Sequence, residues 1–247
     1  MAKTMPRKSE TEKISTIPCG ERLEYARKVA NENIDTALNL IGVYYARREA
    51  FGQNSFASKL PRSRAVGTFN IIMQRLAHAP CIETCRFWDK AEENGKSIPT
   101  IMEYCRNTDI EARLFLIAES CYPDDNDQTR TYHESLVQRF HTAERLIHKS
   151  NTDERLRRTQ NFRNRIAHNL LSTRTDSRLL AKGEKPLVPP SAATLTALGI
   201  RTLWVSWLFH SSLNNADFDF KHSVNLLRRR SSDFWGSLSH SIDPKTM

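Results

Sequence analysis

One stretch of this chain gathers side chains that can do chemistry: Arg163-Asn164-Arg165-Ile166-Ala167-His168, inside the run RRTQNFRNRIAHNLL. An imidazole titrates near neutrality, so it can take up and return a proton at physiological pH. A guanidinium is a planar, permanently charged fork that fits a phosphate or a carboxylate. Proton transfer on an anionic substrate is the chemistry such a pair supports. On a helix turning about 100° per residue, Thr159, Phe162, Ile166 and Leu170 make an apolar stripe, while Asn164 and His168 share a polar face at i and i+4. Arg163 lies about 140° round from His168 by the same geometry. The two can share one cleft if the helix ends or bends near His168, or if a second copy of the helix pairs with the first. The plainer reading is a solvated histidine at a helix C-terminus, where a cation interacts well with the dipole.

The elements that must position this motif are helical. Only 8 Gly and 10 Pro interrupt the 247 residues, and apolar residues recur at three- and four-residue spacing, which predicts an all-α protein. Helices are expected over residues 21–51 and 62–78, with Pro80 ending or kinking the second. Ser97 caps a short helix with Pro99 in its first turn, and Thr108 or Asp109 starts another that runs to Tyr122. Two more cover 127–150, with Asp127 as N-cap, and 152–170. Residues 172–190 read as a long loop. A last helix over 191–214 carries Trp204, Trp207, Leu208 and Phe209 as core. The expected organisation is a disordered tail over 1–18, a single helical domain over 19–216 and a flexible basic tail over 217–247.

The chain carries 37 Lys and Arg against 28 Asp and Glu, a formal net charge of +9. Residues 130–174 concentrate that excess, with ten basic and four acidic side chains. A polyanion is therefore the partner to test first. The five cysteines show no C-x-x-C pairing, which argues for a reducing compartment rather than a disulfide framework. With no apolar leader and with Arg201 and His210 interrupting the most apolar segment, the expectation is a cytoplasmic protein with no membrane partner. His78, Cys81 and Cys85 offer three ligands without a fourth, so buried thiols are preferred to a zinc site. Phosphate-binding loops, hydrolase elbows and dinucleotide fingerprints are absent from the sequence.

An R-N-x-x-x-H motif at the end of an amphipathic helix, in an all-helical chain, resembles the signature of the HEPN superfamily. The order of features is similar to HEPN proteins of the AbiU type, named after phage abortive infection. That order is a long first helix, Phe87-Trp88-Asp89, Ser97-Ile98-Pro99, and then the R-N-x-x-A-H helix. The resemblance spans residues 20–215 at the level of pattern. It implies a HEPN-like helical bundle and a homodimeric, metal-independent endoribonuclease that needs no cofactor, acting as a toxin or antiviral effector. Its partner would be RNA, with a neutralising antitoxin, such as a nucleotidyltransferase, as a second partner.

Carried over by position, His168 would be the general acid/base and Arg163 would hold the phosphate and offset developing charge. Asn164 would orient the histidine or the substrate. Arg155, Arg157, Arg158 and Arg165 on the same helix, with Arg145 and His148 on the preceding one, would meet the RNA backbone. The alternative is a non-catalytic HEPN module that binds nucleic acid or nucleotide and mediates assembly.

Overall fold

Helix caps and buried apolar faces account for the architecture seen in a computed structural model, which describes residues 9–52, 64–167, 181, 189–216 and 219–241. Among these residues the chain is all-α. The helices, in order, are α1 (Glu10–Ser15), α2 (Cys19–Gly52), α3 (Arg64–Phe87), α4 (Ile98–Cys105), α5 (Ile110–Cys121), α6 (Asn126–Asn151), α7 (Glu154–Ala167), α8 (Ala192–Asn214) and α9 (Phe220–Ser241).

Local chemistry sets most of the boundaries. Ser97 caps α4 by accepting from Thr100 N–H, with Pro99 in the first turn, and Asp109 caps α5 through Ala112 N–H. The α6 cap is Asp125 rather than Asp127: its carboxylate accepts from Gln128 N–H at 2.9 Å, so the helix starts one residue earlier than expected. Asp127 instead stands in the first turn, where a negative charge suits the dipole.

Four expectations are corrected. The tail over 1–18 contains α1, started by a reciprocal Ser9–Glu12 capping box and anchored by fully buried Ile14. The basic tail over 217–247 contains the 22-residue α9, whose Trp235 is buried while Arg228, Arg229 and Arg230 stay exposed. The helix expected to stop at 78 runs on to Phe87 with Pro80 inside it, so of the expected ending or kink the ending is excluded. Proline costs a helix one N–H and crowds the carbonyl four residues back. Here Pro80, Cys81, Thr84 and Cys85 are all buried, and that packing outweighs the local penalty. Trp204 is exposed rather than core and stacks on Trp207, with centroids 4.8 Å apart.

The single expected domain also divides into two compact units. The first takes residues 1–35, 86–149 and 204–217. In it Tyr25 stacks on Tyr104 at 4.4 Å, Phe140 meets Phe209 edge-on at 5.7 Å, and Arg22 donates to the Arg106 carbonyl at 2.9 Å. Asn107, two residues after α4, and Asn215, directly after α8, sit in the left-handed region (φ 54° and 50°), where asparagine is better tolerated than other side chains.

The second unit takes residues 36–85, 150–203 and 218–247 and contains α7. Tyr44 on α2 is buried in this unit. Its hydroxyl bonds to Thr84 and donates to the Pro80 carbonyl at 3.4 Å. Helix α8 closes on its ring at Gly199, where an added Cβ would stand 2.1 Å from Tyr44 Cε2. Only glycine allows that approach. Burial pushes the Tyr44 phenol above its ordinary pKa.

Helix α8 is the one described helix long and apolar enough to cross a bilayer by length and composition. Half of its most apolar window is buried within the protein, including Leu195, Leu198, Leu203 and Phe209.

Candidate functional site

Helix α7 begins at Asp153, whose Oδ1 accepts from Arg155 N–H at 2.9 Å while its carbonyl accepts from Arg157 N–H at 3.1 Å. The same carboxylate holds the Arg155 side chain through both oxygens, at 2.9 and 3.1 Å, and Arg201 from α8 at 2.6 Å. Hydrogen bonds from Arg155 first, and then Arg201, keep the Asp153 carboxyl well below the usual carboxylate range despite its partial burial. The inward face of α7 is Leu156, Thr159 and Phe162, all buried. This reproduces the first half of the expected stripe. The Ile166 side chain and Leu170 lie outside the described part.

The arginines on the outward face are not bare. Glu154 takes Arg157 through both its oxygens at 2.7 and 3.0 Å, and Arg158 at 2.9 Å. Those bonds, Arg157's first, push its carboxyl down to about 2. Arg155, Arg157 and Arg158 are all exposed. Exposed ion pairs of this kind hold little free energy, so a phosphate can displace the carboxylates.

Further along α7, the Arg163 Nε and Nη2 both donate to Asn164 Oδ1 at 3.1 Å. Asn164 is exposed and Arg163 half-buried. Arg165 is on the same helix, with its side chain outside the described part, and His168 lies outside the described residues. Arg145 and His148, both exposed on α6, belong to the first unit, where Arg145 donates to Thr142 at 3.1 Å.

The sequence matches no family model, and comparison with curated proteins and with solved structures finds no match. The HEPN likeness therefore rests on the motif and its helical setting.

Beneath the motif are residues that sequence reasoning did not connect with it. Cys81 on α3 is buried and its thiol donates to the Thr159 carbonyl of α7 at 3.7 Å. A hydrogen bond from Cys85, then the positive charges of Arg163 and Arg47, draw the Cys81 thiol below its ordinary pKa against the opposing effect of burial. Arg163 and Arg47 thus bear on one sulfur from α7 and α2. The single signal available in the sequence was the i, i+4 pair Cys81 and Cys85, read correctly as buried thiols; nothing local ties them to residues 47 or 163. Among the described residues no group of three or more His, Cys, Asp or Glu side chains is placed to hold a metal ion.

Proposed function

We propose that this chain is a metal-independent endoribonuclease of the HEPN type, working as a homodimer on RNA in a toxin or abortive-infection role. One observation carries the reading. Arg163 and Asn164 form a hydrogen-bonded pair at the solvent edge of α7, whose opposite face is locked into the core and whose outer face carries three further arginines. In the proposed reaction, His168 takes the proton from a ribose 2′-hydroxyl as its oxygen attacks the neighbouring phosphorus. The bond from phosphorus to the 5′-oxygen breaks, and a proton returns to that oxygen. Arg163 holds the phosphate and offsets the charge that develops on its oxygens. The products are a 2′,3′-cyclic phosphate and a 5′-hydroxyl. Asn164, fixed by Arg163, orients the substrate.

The test is to incubate the purified chain with total RNA, with and without EDTA, beside His168→Ala and Arg163→Ala. The expected result is cleavage that survives EDTA, leaves cyclic-phosphate ends and is lost in both variants. RNA that is bound but left intact by the wild type would replace this reading with that of a non-catalytic module. A monomer at micromolar concentration would remove the shared-cleft arrangement.

A further inference from the structure

The second unit contains a cavity of about 750 Å³ between α2 and α8 that no part of the proposed reaction uses. Its α2 wall presents Tyr44, Arg47 and Arg48, and its α8 wall presents small and apolar side chains, chief among them Ala193, Ala197 and Ile200. The two walls differ in chemistry. Two arginines line one wall, and small or apolar side chains spaced four and three residues apart on one helix line the other. No acidic side chain lines the cavity among the described residues. Arg48 is exposed, and no carboxylate among the described residues pairs with it.

The floor is rigid. Tyr44 is pinned by the Thr84 and Pro80 contacts of its hydroxyl and by the close approach of Gly199 to its ring. The α8 side also ends at a helix N-terminus, with Ser191 Oγ accepting from Thr194 N–H at 3.1 Å, so the dipole adds to the positive potential. A preformed pocket with an apolar wall and a few convergent polar groups is the usual form of a small-ligand site.

We infer that this cavity binds a small amphipathic anion, with a carboxylate, sulfonate or phosphate-ester head on Arg47 and Arg48 and an apolar body against Ala193, Ala197 and Ile200. A nucleic-acid backbone is a poorer occupant. It would satisfy the arginines but leave the methyl wall in water, and covering that wall is where an apolar body gains its free energy. Arg163 is not among the described residues that line this cavity; it and Arg47 both act on the Cys81 thiol. The ligand site does not depend on the ribonuclease reading.

The full-length protein is titrated with 8-anilinonaphthalene-1-sulfonate, followed by fluorescence. The dye is then challenged with decanoate, decanol and inorganic phosphate in turn. The expected result is saturable binding at one site, displaced by decanoate and not by equal concentrations of decanol or phosphate. Arg48→Glu should weaken it by about tenfold or more by reversing a charge at the head group. Ala197→Trp should abolish it by occupying the part of the cavity beside α8 where the apolar body would lie. Both residues are exposed, so both variants are expected to keep the wild-type circular dichroism and melting temperature, and Ala193→Leu serves as a second filling variant. Binding unchanged in Arg48→Glu and in both filling variants overturns the inference. So does displacement by decanol as effective as that by decanoate, which would mean an apolar patch. Displacement by phosphate but not by decanoate would mean a simple anion site and overturns it equally.

Discussion

Arg201 Nη1 stands 2.6 Å from Asp153 Oδ2, joining α8 to the residue that caps the motif helix. The two side chains are 18% and 10% exposed, whereas Arg155, the other partner of Asp153, is 52% exposed. One carboxylate thus begins α7 and fastens it to α8. Asp153→Ala removes a cap worth about 1 kcal/mol and leaves a part-buried guanidinium without its partner, a further cost of about 1–3 kcal/mol. Arg155→Ala removes only an exposed pair, whose loss costs less. Urea unfolding should rank the variants in that order; a larger loss in Arg155→Ala would show that the α8 tie is not what holds α7.

The same carboxylate sets a pH dependence. Its pKa is lower in the folded chain than the unfolded value of about 3.9. Its stabilisation is therefore complete above the unfolded value and is lost as pH falls through the folded one. Stability should decline from about pH 5 towards pH 2, and less steeply in Asp153→Asn. The contribution of Glu154, also pushed down but more exposed, should fade in high salt, while that of Asp153 persists. Urea midpoints collected across this range at two salt concentrations would check both. Parallel pH curves for wild type and Asp153→Asn would count against the assignment.

Glycine acts oppositely at two helical positions. Gly199→Ala would drive a methyl group into the Tyr44 ring, which its hydroxyl contacts prevent from moving aside. Overpacking of this kind costs about 1–3 kcal/mol. Gly236→Ala, in α9 with nothing within 4 Å of the added atom, should stabilise by about 0.5–1 kcal/mol through helix propensity. Thermal melts of the two variants should move in opposite directions, and a melting temperature unchanged in Gly199→Ala would contradict the close packing.

Glu154 restrains two arginines at once. If the exposed face of α7 contacts RNA, Glu154→Gln frees Arg157 and Arg158 and should tighten RNA binding several-fold at low salt, with a steeper dependence on salt concentration. Filter binding or anisotropy across a salt series would measure this. Equal affinities and slopes for the two proteins would place the RNA elsewhere.

Sequence alone determined what is local. Apolar periodicity announces helices such as α2, α6 and α8, because a helix turns at a constant 3.6 residues and so repeats its buried face. Ser97 and Asp109 mark helix starts because a cap acts within three residues. The Ser9–Glu12 capping box was equally legible, yet a polar tail hid it. Likewise a Ser- and Arg-rich composition hid α9, which buries Trp235. Tertiary structure decided what depends on distant partners. Arg201 reaches Asp153 across 48 residues, Gly199 seats on Tyr44, and Arg47 and Arg163 act on one buried cysteine. It also decided that Pro80 stays within α3, where burial outweighs a local penalty, and that Trp204 faces outward, because α8 is apolar on more sides than its neighbours cover. A residue's chemistry is written in its type, whereas its partners follow only from which faces the packed helices bring together.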